Sequence, residues 1–396
     1  MLNNQKKIYL FSFFWMFLVI MPVIVPFFLN LGLNMHEVFQ LTAIFGVAVV
    51  ALEIPTGYLC DLWGRKKTLI IGSFISGLGY TYLFYAKTFW QLVAYEIIIA
   101  LALSFVSGAD ISLLYDSLEK SKQREGTKAI ANMQLASVSG ESVAAVLGGL
   151  LVTFSFKHVL IAHALAGWLP FFIALTLHET PYEKMVHKNH WHNFRDVFRH
   201  VFFNRDKLLI LTFTNLTVWG LSTFFAVWIF QKTWQESGIA LASFGLIWAA
   251  YNLSVGLVGK QVHWVEQRWG PSPLLIFMAV APIVGYLSLA FFGGIAVVGL
   301  GLLFQLSRGI CQVLLRDALN WRTPAAFRAT ANSLQSFFFR LGFAIFGPAV
   351  GYLIDRFGTP FALKALAGVF TALLFLTLIP LLKAIRETAT NYIPEK

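Results

Sequence analysis

Apolar and polar positions alternate along this chain on the scale of whole helices. Runs of about 18–25 predominantly apolar residues recur from end to end, each long enough to cross a bilayer core of about 30 Å. Twelve are legible, at residues 8–32, 38–60, 68–86, 90–115, 129–153, 159–178, 208–231, 240–260, 272–292, 295–317, 330–353 and 360–382. The pattern predicts an all-α integral membrane protein with twelve transmembrane helices. The first run is longer than a signal-peptide core and has no small-x-small cleavage site before the next span, so it reads as a retained span.

Composition narrows the class further. The 396 residues are 58% hydrophobic and 12% charged, against about 25% charged in an average soluble domain. So few charges cannot clothe a water-facing surface. That argues against a soluble enzyme, and against disorder, collagen and coiled coil. Two cysteines make neither a disulfide framework nor a zinc spacing.

The net charge of +11 would suggest nucleic acid in a soluble protein. Here its distribution matters more. With both termini placed in the cytoplasm, most Lys and Arg fall on that side. Only Lys87, Lys157, Lys232, Arg356 and Lys364 fall on the other, and Arg308 and Arg340 lie within spans. This bias predicts cytoplasmic termini in a cell (inner or plasma) membrane. It accounts for the basic character with no nucleic-acid partner.

The longest polar stretch, 179–207, divides the chain into an N-terminal six-helix bundle (1–178) and a C-terminal one (208–396). Within it Trp191, Phe194, Val197, Phe198, Val201 and Phe202 recur at helical spacing, with Arg195, Arg199 and Arg205 on other faces. The stretch reads as a linker with an amphipathic helix on the membrane surface. His187, His190 and His192 are read as a solvated loop, and no metal site is assigned.

The halves repeat one another. Gly108, Leu113, Leu114, Asp116 and Leu118 match Gly309, Leu314, Leu315, Asp317 and Leu319 in register, and Ala131-Asn132 matches Ala331-Asn332. A duplicated six-helix unit gives 6+6 pseudo-symmetry, the architecture that supports alternating access.

Between spans two and three the chain reads Gly57-Tyr-Leu-Cys-Asp61-Leu-Trp-Gly64-Arg65-Lys66-Lys67. Gly57 permits close helix contact. Asp61 stands at a helix end, where it can meet another helix's positive N-terminus. Gly64 allows a sharp turn, and Arg65 to Lys67 supply positive charge. The string resembles the signature loop of the major facilitator superfamily, Gly-x-Leu-x-Asp-x-x-Gly-Arg-Lys. With twelve spans and a duplicated half, the resemblance covers essentially the whole chain and implies the major facilitator fold. It further implies that Asp61 engages the start of the eleventh helix and that Arg65 pairs with Asp116, together latching the outward-facing state. Glu53-Ile-Pro-Thr-Gly57 and the Leu-Leu-Tyr-Asp string ending at Asp116 resemble the drug-efflux-related branch. In span five, Ala144-Ala145 stands where antiporters often carry Gly-Pro. The second-half counterpart of the signature loop, Val265 to Gly270, is degenerate.

Charges inside a membrane cost about 2.5–3.5 kcal/mol even on lenient scales, so they need a reason. The acids Glu53, Glu96, Asp110 and Glu141 lie in the first half, and Arg308 and Arg340 in the second. Glu141, Asp110 and Glu53 are proton-coupling candidates, because a buried carboxyl can load and release a proton; a structural ion pair is the alternative. Glu96, nearer the outer surface, is the weaker candidate. Arg308 and Arg340 offer forked donors for an anionic group, or pair with acids. Trp219, Tyr251, Asn252 and Gln305 are candidates to line the same substrate site.

No phosphate-binding Gly-x4-Gly-Lys-[Ser/Thr] string is present, so a gradient must supply the energy. The reading is a proton-coupled secondary transporter of a small organic solute. It has the bilayer and protons as partners, no cofactor and no enzymatic activity, and it works as a monomer. Drug-type export and import of a carboxylate-bearing solute, such as a siderophore or metabolite, both remain open. A non-transporting receptor is the reading from another class; it would have no need of an intact Asp61-Gly64-Arg65 joint.

Overall fold

Helices occupy all twelve apolar runs in the computed structural model. It describes residues 3–118, 126–179, 206–324 and 327–391, without the side chains of Ile54, Asp61, Thr127, Ala329 and residues 388–391. Among these residues there is no β-strand. The amphipathic stretch and the three histidines expected between the halves lie outside the described residues.

Seven spans are single helices. They are spans two (Met35–Trp63), three (Arg65–Leu83), five (Gly126–Leu151), seven (Lys207–Glu236), eight (Leu241–Trp269), nine (Pro271–Phe291) and eleven (Arg328–Phe357). The other five are interrupted. Span one is Asn4–Trp15, a 3₁₀ turn Met21–Val23 and Ile24–Asn30. Pro22 in that turn has no N–H to offer a preceding helix. Span four breaks between Phe89–Val106 and Ala109–Asp116, and span six between Phe156–Gly167 and Leu169–Thr176. Span ten runs Ala296–Ile310, a π-helical turn Cys311–Leu315 and Arg316–Arg322. Span twelve runs Thr359–Leu373, a π-helical turn Leu374–Leu378 and Ile379–Asn391. Ten helical stretches among the described residues are long and apolar enough to cross a membrane. Span three is not one of these, because it opens on Arg65, Lys66 and Lys67.

Local chemistry sets the ends. Asn34 and Glu37 form a reciprocal capping box at the start of span two, and Thr88 and Gln91 another at span four. Each box satisfies two N–H groups that a helix start leaves free. A single residue, Gly64 at φ +93°, joins spans two and three. The degenerate loop of the second half is built the same way, with one glycine, Gly270, between spans eight and nine. The duplication therefore survives in backbone geometry where the letters have diverged.

The chain divides into two compact units, Met1–Val186 with Ile239–Asn252, and His187–Gly238 with Leu253–Lys396. In the first, span five presents small residues to its neighbours. A Cβ at Gly140 or Gly148 would collide with the backbone carbonyls of Phe13 and Val19 in span one. One at Gly149 would lie 2.6 Å from the Ala242 carbonyl. Small residues let backbones approach this closely, which is how helices associate where no hydrophobic force drives them together. At one end of this unit Phe11, Leu69, Leu113, Leu114, Met133 and Leu177 form a buried apolar cluster from spans one, three, four, five and six.

The second unit has an aromatic core. Tyr286 stacks on Phe370 (5.9 Å between centroids), meets Phe304 edge-on (4.7 Å) and donates from its hydroxyl to the Ser222 carbonyl. Asn215 is fully buried and fully bonded. Its Nδ2 donates to the carbonyls of Leu211 (2.8 Å) and Thr377 (3.0 Å), and its Oδ1 accepts from Trp219 Nε1 (2.9 Å) and the Thr377 hydroxyl (3.2 Å). Thr377 belongs to the π-helical turn of span twelve. Such turns expose backbone groups that an ordinary helix uses internally, and Asn215 takes up one of them.

Candidate functional site

Two places in the first unit gather the polar residues singled out in the sequence. The first is the joint between spans two and three. Gly64 ends one helix and starts the next, so Arg65 sits on the first turn of span three. Its guanidinium forms an ion pair with Asp116 and donates from Nη1 to the Ser112 carbonyl (3.0 Å). Both partners are on Ala109–Asp116, the short second piece of span four. The backbone N–H groups of Arg65 and Lys66 donate to the two oxygens of Glu179, at 3.1 and 3.0 Å. Nothing in the sequence around Glu179 marks it for this place; only the folded chain brings it to this helix start.

Asp61 lies on the last turn of span two, and its side chain is outside the described residues. The role expected for Gly57 needs correction. The residue is exposed, and an added Cβ would have no atom within 4 Å among the described residues.

The second place is a cavity of about 480 Å³ lined by residues of spans one, four and five. Asp110 and Glu141 both line it, with Ser12, Gln134 and Ser137 as further polar groups and Phe11 and Trp15 as aromatic walls. Its lining includes no Lys, Arg or His among the described residues. Span four does not run through as the single helix read from sequence. It breaks at Ser107-Gly108, where Gly108 takes φ +83°, a conformation that costs glycine little. Asp110 consequently opens a new helix, and its Oδ1 accepts from the Ile111 N–H at 2.7 Å. A carboxylate is favoured at such a start. Glu141, midway along span five, accepts from Trp248 Nε1 at 3.0 Å, the indole coming from the part of span eight grouped with this unit.

Glu53 is half-buried on span two and does not line this cavity. Glu96 stands on span four near Tyr80 and Tyr95. Close by is a group that sequence reasoning misses. His163 on span six is 1% exposed, its ring centroid lies 4.2 Å from that of Tyr80, and neither ring nitrogen has a hydrogen-bond partner among the described residues. A lone histidine in an apolar run gives no periodic signal.

In the second unit, Arg308 stands half-buried just before the π-helical turn of span ten, and Arg340 half-buried within span eleven. Gln305, one turn before Arg308, is 3% exposed, and its Oε1 has no hydrogen-bond partner among the described residues. Tyr251 and Asn252 group with the first unit. The Asn252 Nδ2 is buried and also without a hydrogen-bond partner among the described residues. A solute or water can satisfy such orphaned groups. Trp219 is a correction. It is 0% exposed, bonded to Asn215 and packed beside Phe370 (6.0 Å), so here it holds the core together and lines no open site.

Similarity to known proteins agrees with this architecture. The sequence model of the Major Facilitator Superfamily matches residues 8–347. Among solved structures, a mutant of the nucleoside transporter NupG superposes with a TM-score of 0.82 at 16% identity, covering 96% of this chain and 100% of that one. A POT family transporter in complex with 5-aminolevulinic acid gives 0.74 at 12%, covering 95% of each. A D-xylose-proton symporter gives 0.68 at 14%, covering 94% of this chain and 96% of that one. At these identities the structural likeness is one of fold, and the family match carries the assignment: the chain belongs to the Major Facilitator Superfamily.

Proposed function

We propose that this protein is a secondary active transporter that moves a small organic solute by alternating access, driven by protons, and that it is not an enzyme. Family membership supports transport. The observation that carries the coupling is the cavity in which Asp110 and Glu141 line one space. Carboxyls that line a partly apolar space are suited to take up and release a proton. One structural relative being a proton symporter supports the same source of energy. Glu53 is the third candidate carrier.

Arg65 and Asp116 act in this reading as a latch, with Asp61 engaging the start of span eleven, Gly64 forming the turn and Lys66 adding positive charge. The latch closes on the cytoplasmic side of the cell membrane, where both termini lie. The working molecule is a monomer of two bundles, 1–178 and 208–396, joined by 179–207.

The motif resemblance favours the drug-efflux-related branch and export. The acidic cavity lining, with no cationic side chain among the described residues, suits a solute with an amino group. Arg308 and Arg340, whose forked donors suit a carboxylate, favour the second reading, import of a carboxylate-bearing solute. Thermal-shift screening of purified protein against lipophilic cations and polycarboxylates side by side tests both. Stabilisation by the cations alone supports the first, and by the carboxylates alone the second. Neither set shifting the midpoint counts against both.

A further inference from the structure

At one end of the first unit, polar groups from the starts and ends of four spans close into a ring. Asn4 of span one donates from Nδ2 to the Ser117 hydroxyl (2.7 Å) and to the His178 carbonyl (3.1 Å), and its Oδ1 accepts from the His178 N–H (3.0 Å). Ser117 caps the short helix whose Asp116 pairs with Arg65. Span three, begun by Arg65, binds Glu179 through two backbone N–H groups. Glu179 follows His178 directly, which returns the circuit to Asn4.

Several of these contacts serve helix ends. The last carbonyls of a helix lack intrahelical partners and favour cations; the first N–H groups favour anions. Lys7 Nζ donates to the Thr176 carbonyl at the end of span six (2.6 Å), and Gln5 Nε2 to the Ser117 carbonyl after span four (3.4 Å). The Glu179 carboxylate serves the opposite pole, the start of span three. Space is cut to fit: a Cβ at residue 64 would lie 2.9 Å from a Glu179 oxygen. Glycine there allows the carboxylate's approach as well as the turn.

We propose that Asn4 and Glu179 are positioning residues of the gate, clamping the root of the segment between the two halves to the joint that carries Arg65. The inference rests on the latch reading of Arg65 and Asp116, and adds what holds the helix of Arg65 in place. Loss of Glu179 returns the first amides of span three to water. Loss of Asn4 removes both bonds to the His178 backbone and loosens the hold on Glu179 beside it.

The chain carries its own reporter. Of its two cysteines, Cys311 is buried and Cys60 half-buried, and the Cys60 carbonyl accepts from the Gly64 N–H at 3.0 Å. In purified full-length Cys311→Ala protein, the rate at which fluorescein maleimide labels Cys60 reads how open the joint is. Glu179→Ala and Asn4→Ala should each raise that rate about fivefold, the size of a lost helix cap. Glu179→Gln, which keeps one acceptor, should fall between. Glu179→Ala combined with Arg65→Gln should label no faster than the faster single variant, since both break one circuit. A purely structural role would lower the thermal midpoint without this coupling. Parental labelling in both Ala variants, or rates that multiply in the double variant, overturns the proposal while the latch stands. If Arg65→Gln itself leaves labelling unchanged, the latch reading fails and takes the positioning role with it.

Discussion

Trp248 donates from its indole nitrogen to the Glu141 carboxylate at 3.0 Å, on the wall of a cavity that also contains Asp110. The bond fixes one oxygen of Glu141, the proposed proton carrier. Glu141→Gln keeps shape and hydrogen bonding but cannot cycle a proton. Accumulation driven by a pH gradient in vesicles should be lost, while exchange of solute across the membrane survives. Full dependence on the pH gradient in Glu141→Gln would move the carrier to Asp110 or Glu53.

The ion pair of Arg65 with Asp116 leads to a second expectation. Charge-assisted, partly buried contacts contribute about 1.5–3 kcal/mol, enough to shift a two-state equilibrium about tenfold or more. Arg65→Gln, Asp116→Asn and Asp61→Asn should each cut transport strongly at near-normal expression, with faster labelling of cysteines introduced on the side of the Arg65 joint. Arg65→Gln with Asp116→Asn should be no worse than the more severe single variant. Normal transport in all three would leave the joint without a gating role.

Gly148 and Gly57 separate crowded from open positions. A Cβ at Gly148 meets the Val19 carbonyl, whereas one at Gly57 meets nothing within 4 Å among the described residues. Gly148→Ala should therefore lower the thermal midpoint, at a cost of about 1–3 kcal/mol for overpacking. Gly57→Ala should leave the midpoint unchanged or slightly raised, since alanine favours a helix. Equal midpoints would contradict the packing of span five on span one.

Arg308 and Arg340 bear on the charge of the solute. Arg308→Gln or Arg340→Gln should weaken binding of an anionic or zwitterionic ligand at least about tenfold, the loss of one charge-assisted bond. Lysine should rescue poorly, because it lacks the fork. Tight binding of cationic dyes, unchanged in both variants, would instead make the two arginines structural and favour export.

Much of the fold was legible because a bilayer demands long apolar runs, and each of the twelve coincides with helix. The interruptions were not. Gly108 is one small residue among many in the sequence, yet it ends a helix and turns Asp110 into the start of another. The π-helical turn of span twelve takes a bond from Asn215, 162 positions away, and no local pattern links the two. The partners Asp116 and Arg65 could be named from the motif. Glu179, Asn4 and His163 could not, because nothing periodic marks a residue whose partners are distant in sequence. Trp219 misled for the opposite reason: aromatic residues line sites and fill cores alike, and only its burial and its bond to Asn215 decide between them.

Proton coupling through the Asp110–Glu141 cavity is the central claim, and solute-evoked proton movement measures it most directly. Purified protein in liposomes loaded with a pH-sensitive dye should answer at least one solute from a panel of cations, carboxylates and nucleosides with a proton flux. That flux should vanish in the double variant Asp110→Asn with Glu141→Gln, while the variant still binds the solute. A solute that accumulates with no proton flux, or a flux that persists at its parental rate in the double variant, would contradict proton coupling at this cavity.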